Sequence, residues 1–385
     1  MTVKILVVDD EPDLEVLVRQ KFRRQVREGR FDLVFARNGV EALEVLAGDP
    51  SVNIVLSDIN MPVMDGLTLL GKLTESDRIL KAVIVSAYGD MQNIRIAMNR
   101  GAFDFVTKPI DFQDLEITIN RTLDEILALK QALHERTELN ALQQELSIAA
   151  RIQQSILPRV FPAFPDRSEF DLYAAMTPAK EVGGDFYDFF LIDQERLGFV
   201  IGDVSGKGVP AALFMAVSRT LLRATAMQAS SAGECLQYAN KVLVRESDGS
   251  MFVTLFYGIL NTRTGEVEFA VGGHNPPYLF SASRLEPLQF QGGMIVGILD
   301  IARYDTQWVQ LQPGEGLFLY TDGVTEATNA ALDLFSEERL EAALQLSAGQ
   351  PLHKLLGAVT KGVQEFVVDA PQADDITMLA VRYLG

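Results

Sequence analysis

"TLDEILALKQALHERTELNALQQEL", residues 122–146, is the middle of a run from Asp111 to Leu157 that contains neither glycine nor proline. Leu, Glu, Gln, Ala and Lys dominate the run, side chains that lose little freedom in a helix. It predicts one long helix, closed by Pro158, Pro162 and Pro165. Within it Ile119, Leu123, Ile126 and Leu133 fall near heptad spacing, and so do Leu139, Leu142, Leu146, Ala149 and Ile156. The two seams are out of phase around residues 133–139, as a stutter leaves them. Such a helix is expected to join two domains and to pair with its copy in a homodimer; a lone solvated linker is the alternative. The expected division is residues 1–120, a helical coiled-coil linker over 121–157, and residues 158–385.

Upstream of this helix, short apolar runs alternate with amphipathic stretches. Strands are predicted at Val3 to Val8, Leu33 to Ala36, Ile54 to Ser57, Ala82 to Ser86 and Phe103 to Thr107. Helices are predicted to begin near Pro12, Asn38, Gly66, Asp90 and Asp111, so the region reads as repeated βα units around a parallel sheet. Downstream, from Phe170, strands predominate. They are expected at Phe170 to Ala175, Leu197 to Asp203, Phe252 to Leu260, Glu266 to Val271, Gly316 to Tyr320 and Ile376 to Val381. Helices are expected at Val209 to Met227, Ala232 to Arg245, Ser336 to Leu346 and Leu352 to Val367, which makes an α+β layered domain.

Composition narrows the class. The 385 residues are 48% hydrophobic and 22% charged, ordinary for a packed globular chain. No apolar run is long enough to span a bilayer, and the start "MTVKILVVDD" lacks the pattern of a signal peptide. The single cysteine, Cys235, excludes internal disulfides and suits a cytoplasmic location. A net charge of −18 argues against nucleic acid or anionic lipid as partners. An acidic chain also suits carboxylates that hold metal ions.

Two groups of acidic residues stand at predicted strand ends. In the first region Asp9 and Asp10 follow "ILVV", Asp58 follows "IVLS", Ser86 ends "AVIVS" and Lys108 follows "FVT". In an open parallel sheet the functional crevice lies beyond the carboxyl ends of the strands, so all five converge there. Three neighbouring carboxylates repel one another unless a hard cation such as Mg²⁺ joins them. One of them could then attack a phosphoryl group, with Lys108 and Ser86 holding its oxygens. Residues 1 to about 120 resemble a response-regulator receiver domain, on "VVDDEP", "SDINMPVMDG", "SAYG" and "FVTKP" in that order. The resemblance implies a doubly wound, five-stranded parallel α/β fold with Asp58 as phosphoacceptor. It further implies Mg²⁺ on Asp10, Asp58, Asp9 through water and the backbone carbonyl of Asn60. Ser86 and Phe105 match the switch positions, and Lys108 the phosphate-contacting lysine.

In the last region four acidic motifs abut strands: "GGDFYD" at Asp185, "GDVSGKG" at Asp203, "YTDGVTEA" at Asp322 and "ADDITML" at Asp374 and Asp375. Flanking glycines permit close backbone approach. Buried aspartates are costly without a cation, whereas two Mg²⁺ or Mn²⁺ ions would turn them into a site for hydrolysis at phosphorus. No cysteine or histidine pattern points to zinc, and "VSGKG" lacks the spacing of a nucleotide-binding phosphate loop. His274 of "GGHNPP" is expected to be a structural hydrogen-bonding residue, and Asp188 a surface residue or one behind the ligands.

From about "ARIQQSILP" to the C-terminus the chain resembles the SpoIIE/RsbU-type branch of the metal-dependent PPM protein phosphatases. The match is carried by "GGDFYDFF", "IGDVSGKGVPAALFMA", "FVTLFYGIL", "GGHNPPYL", "YTDGVTEATN" and "DDITMLAVR". It implies a β-sandwich flanked by helices, with side-chain metal ligands Asp185, Asp203, Asp322 and Asp374 and the backbone carbonyl of Val204. Asp374 is preferred to Asp375 on motif register alone. Ser205 stands where eukaryotic members carry a histidine, so no general acid is assigned.

Together the halves predict a two-component response regulator whose output is dephosphorylation of phosphoserine or phosphothreonine, controlled by Asp58. A histidine kinase or phosphotransfer protein would be the input partner, and a phosphorylated STAS-type anti-sigma-factor antagonist the substrate. A non-catalytic scaffold and a hydrolase of small phosphate esters are the alternatives.

Overall fold

The computed structural model describes residues 3–76, 78–87, 89–246 and 249–385; Tyr88 of the "SAYG" motif lies outside the described residues. The chain divides into two compact units, Met1–Leu142 and Gln143–Gly385.

In the first unit, β1 (Val3–Val8) leads into α1 (Pro12–Lys21) and α2 (Arg23–Arg27), then β2 (Phe31–Ala36), α3 (Gly39–Gly48), β3 (Val52–Asp58), α4 (Gly66–Thr74), β4 (Lys81–Ala87), α5 (Met91–Asn99), β5 (Asp104–Lys108) and α6 (Phe112–Ile156). The five strands form a parallel sheet in the order β2-β1-β3-β4-β5. Helices cover both faces, which is why β3 is buried at every position and reads as an apolar run. Alternate residues serve opposite faces. Leu6, Val55 and Ile84 pack with Leu46 and Leu69 on one side, while Ile5, Ile54 and Val83 pack with Val18 and Phe22 on the other.

The second face also takes Leu115, Ile119, Leu123 and Ile126 from the start of α6. Three of the four residues of the first heptad seam are therefore occupied inside this unit, by helix-on-sheet packing. Leu133, Leu139 and Leu142 are exposed. No helix among the described residues is long and apolar enough to cross a membrane.

The second unit is a sandwich of two antiparallel sheets. It runs β6 (Phe170–Thr177), β7 (Phe186–Leu191), β8 (Arg196–Val204), α7 (Val209–Ala226), α8 (Ala232–Glu246), β9 (Val253–Asn261), β10 (Glu266–Gly272), β11 (Tyr278–Phe280), β12 (Leu285–Pro287) and β13 (Gln307–Gln310). There follow β14 (Gly316–Tyr320), α9 (Asp322–Thr325), α10 (Ser336–Ser347), α11 (Leu352–Val367) and β15 (Ile376–Tyr383). The sheet orders are β13-β10-β9-β8-β7 and β12-β11-β14-β15-β6. Period-two alternation along β15 shows the layering: Leu379 and Val381 enter the core between the sheets, whereas Met378 and Ala380 pack under α10 and α11. The short strands β11, β12 and β13 escape sequence prediction because three or four residues display no period.

Candidate functional sites: two carboxylate clusters

In the first unit, β1 and β3 are neighbours, so the residues just after β1 and at the end of β3 share one sheet edge. Asp9, Asp10 and Asp58 each place a carboxylate oxygen within 4.8 Å of the others, a spacing that one cation can span. Lys108, at the end of β5, reaches into the cluster: its Nζ lies 2.7 Å from Asp58 Oδ2, 3.0 Å from Asp9 Oδ2 and 3.1 Å from Glu11 Oε1. Burial works against the charged ammonium, but its hydrogen bonds to Asp58 and Asp9 outweigh this and raise its pKa. Burial pushes the Asp9 carboxyl up despite Lys108. Ser86 is buried on β4, with its hydroxyl 3.5 Å from Asp90 Oδ2, and Phe105 is partly exposed on β5. Asn60 is exposed, two residues beyond Asp58. Glu11 is the member that the motifs do not single out.

In the second unit, strand pairing brings four distant motifs to one end of the sandwich. Phe186 at the start of β7 pairs with Gly202 near the end of β8, setting Asp185 beside Asp203. In the opposite sheet Tyr320 at the end of β14 pairs with Met378 near the start of β15, setting Asp322 beside Asp374 and Asp375. Hydrogen bonds then join the sheets. Thr321 Oγ1 donates to Asp185 Oδ2 at 2.7 Å, and Gly184 N donates to Asp375 Oδ2 at 2.6 Å.

The glycines have a packing reason. A Cβ on Gly183 would stand 2.3 Å from Asp375 Oδ2, and one on Gly184 would stand 2.8 Å from the Val204 carbonyl oxygen. Gln153, on α6, fastens the same loop: its Nε2 donates to the Gly183 carbonyl at 2.6 Å and its Oε1 accepts from Gly183 N at 3.1 Å.

The carboxylates of this cluster are partly or wholly buried and repel one another. Asp185 is buried, and desolvation followed by the charge of Asp203 drives its pKa well above the ordinary carboxylate value. Desolvation and then Asp322 push Asp203 up to about 7. Asp322 is raised by burial, then by Glu326 and Asp374. All donors are hard oxygens, which fit Mg²⁺ or Mn²⁺. Among the described residues of this unit, no three acidic side chains reach the spacing seen for Asp9, Asp10 and Asp58. Asp374 is instead held by Lys207, whose Nζ lies 2.8 Å from Asp374 Oδ2.

The neighbouring candidates separate clearly. Asp375 accepts from three backbone amides, Ala179 N, Gly184 N and Asp185 N, whereas Asp374 accepts from one, Asp375 N, and pairs with Lys207. Ser205 Oγ accepts from Phe252 N at 3.0 Å. His274 is buried, with Nδ1 3.0 Å from Thr254 Oγ1, and burial lowers its pKa to about 4. Asp188 is not a surface residue: it is fully buried, with Oδ2 2.9 Å from Arg219 and Oδ1 3.2 Å from Arg223. Sequence reasoning does not find Thr321, Gln153 or Lys207; for Thr321 the signal is its place directly before the motif aspartate in "YTDG".

Comparison with known proteins agrees with this fold. Residues 193–384 match the family model described as stage II sporulation protein E, and residues 5–120 match the response regulator receiver domain. Protein IcfG of Synechocystis is 30% identical over 264 residues, covering 62% of this chain but only 41% of IcfG. Phosphoserine phosphatase RsbU of Bacillus subtilis is 27% identical over 277 residues, covering 70% of this chain and 80% of RsbU. The solved SiaA-PP2C domain of Pseudomonas aeruginosa has the same fold, with a TM-score of 0.58 at 23% identity over 64% of this chain and 98% of that one. The chain is thus a response-regulator receiver domain joined to a phosphatase domain of the SpoIIE/RsbU-type branch of the PPM serine/threonine phosphatase family.

Proposed function

We propose that the protein is a cytoplasmic response regulator whose output is metal-dependent hydrolysis of phosphoserine or phosphothreonine on a partner protein. The observation that carries this reading is the pair Asp185 and Asp203, two carboxylates driven up by burial and by acidic neighbours at one end of the sandwich. Such a pair is stable as a charged site only with cations on it. Asp185, Asp203, Asp322 and Asp374 would hold two Mg²⁺ or Mn²⁺ ions, with the Val204 carbonyl as a further donor. Bound there, such ions would supply Lewis acidity and charge neutralisation for in-line attack of water on phosphorus. Thr321 orients Asp185 by its hydrogen bond, and Asp375 fixes the loop that carries it.

In the receiver, Mg²⁺ would sit on Asp9, Asp10, Asp58 and the Asn60 carbonyl. A histidine kinase or phosphotransfer protein would deliver the phosphoryl group. An Asp58 oxygen would form the new bond to phosphorus as the donor's bond to phosphorus breaks, and Lys108 would pair with the phosphoryl oxygens. Ser86 and Phe105 would then rearrange. The similarity to a phosphoserine phosphatase supports a phosphoprotein substrate, and the SpoIIE/RsbU-type motifs support a STAS-type anti-sigma-factor antagonist. The exposed leucines of α6 support a homodimer through that helix.

The test is turnover of a phosphorylated STAS protein beside turnover of p-nitrophenyl phosphate, each with Mn²⁺, for the wild type and Asp203→Asn. Mn²⁺-dependent release from the protein substrate that vanishes in Asp203→Asn is expected. Activity that survives this substitution, or that is confined to the small ester, would defeat the reading.

A further inference from the structure

We infer that Lys207 is the phosphate-docking cation of the phosphatase site, held on Asp374 until metal takes that carboxylate. This assignment rests on the metal-dependent reading above. Lys207 occupies the turn between β8, which ends in Asp203 and Val204, and α7. Gly206 and Gly208 on either side have φ of +87° and +78°, a backbone that glycine adopts without strain. The turn directs the lysine across to the opposite sheet, where Nζ meets Asp374 Oδ2 at 2.8 Å and the Ala373 carbonyl at 2.5 Å. Among the described residues, no other lysine or arginine forms an ion pair with Asp185, Asp203, Asp322 or Asp374.

Three consequences follow from charge and position. Asp374 Oδ1 accepts from Asp375 N and Oδ2 holds the ammonium, so a divalent ion drawn to this carboxylate would compete with Lys207. The lysine side chain is 41% exposed, and an ion pair at such a position shifts an equilibrium by no more than about fivefold, so metal can displace it. Once displaced, the ammonium stays tethered by a short turn at the mouth of the site. The substrate brings a phosphate dianion to a chain of net charge −18, and a local cation at that mouth offsets the repulsion.

The experiment uses full-length protein with Asp10→Asn in every variant, so that the receiver carboxylates do not contribute. Mn²⁺ binding is measured by calorimetry, and inorganic phosphate is titrated as an inhibitor of p-nitrophenyl phosphate turnover. Relative to Lys207, Lys207→Gln is expected to bind Mn²⁺ roughly two- to fivefold more tightly, because its competitor is gone. The same variant is expected to be inhibited by phosphate roughly tenfold less well. Lys207→Arg keeps the cation and should stay within about twofold of the parent in both measurements. Mn²⁺ binding to Lys207→Gln that is unchanged or weaker overturns the assignment, as does phosphate inhibition indifferent to residue 207. Asp203→Asn separates the two levels: if it binds Mn²⁺ as the parent does, the metal reading itself falls, and this assignment with it.

Discussion

Asp375 accepts hydrogen bonds from three backbone amides, those of Ala179, Gly184 and Asp185. Truncating it to alanine strands those donors, so Asp375→Ala is expected to lose about 2–4 kcal/mol in urea unfolding. Asp374 accepts from one backbone amide, that of Asp375 beside it, and pairs with Lys207 at the surface. Asp374→Asn should stay within about 0.5 kcal/mol in stability. It should nevertheless weaken Mn²⁺ binding by more than about a hundredfold, beyond the usual cost of losing an outer partner. The sequence shows both aspartates in "DDITML", and motif register favours Asp374, but no local pattern separates two residues that both precede the strand. The amides that engage Asp375 are nearly two hundred positions away. His274 adds a pH dependence. It is neutral in the fold with a pKa of about 4, against about 6.5 unfolded, so the unfolded chain binds protons first as pH falls. Its contribution is present above about pH 6.5 and is lost as pH falls toward 4. Wild-type urea midpoints should therefore lose about 2 kcal/mol of stability from this group between pH 7.5 and 5. His274→Asn should show correspondingly less acid sensitivity.

The same reach across the chain explains β7. Asp188 lies in an aromatic strand, and its partners Arg219 and Arg223 come from α7, one helical turn apart. Nothing near Asp188 in sequence announces them, so the burial of the charge is invisible until the helix is packed. Removing one member of a buried pair leaves the other uncompensated. Asp188→Ala is expected to cost about 3–5 kcal/mol in urea unfolding, and Arg223→Ala less, because Arg223 is half exposed. The parallel strands were legible because burial on both faces writes them as apolar runs. The long helix was legible too, but its periodicity mixes two tasks. Ile119, Leu123 and Ile126 fill the receiver core, whereas Leu139 and Leu142 face outward. A seven-residue repeat does not reveal whether its partner is a sheet in the same unit or a second copy. If the exposed stretch of α6 pairs with a second copy, paired Leu139→Glu and Leu142→Glu should turn that dimer into a monomer in light scattering, with the receiver's melting transition unchanged. Ile126→Glu should lower that transition instead.

At the scale of the whole chain, both clusters gather carboxylates from remote segments. Each acidic motif is readable alone, but its meaning comes from strand order: β1 beside β3 in one unit, and β7 beside β8 opposite β14 beside β15 in the other. Coupling between the units can be tested without knowing its sign. In the receiver Lys108 pairs with Asp58 and Asp9, and α6, Phe112–Ile156, carries Gln153, which grips the Gly183 backbone two residues before Asp185. If Asp58 governs the output, acetyl phosphate should change the kcat/KM of wild-type protein toward a phosphorylated STAS protein by about tenfold or more, in the range of ordinary allosteric coupling. Asp58→Asn should show no change, while retaining the basal rate of the unphosphorylated wild type. Gln153→Leu keeps Asp58 and all four phosphatase aspartates but removes both hydrogen bonds to Gly183. It should therefore still accept the phosphoryl group, seen by mass spectrometry, while its turnover no longer follows the receiver. A wild type and Asp58→Asn that respond alike to acetyl phosphate would show that the receiver does not control the phosphatase.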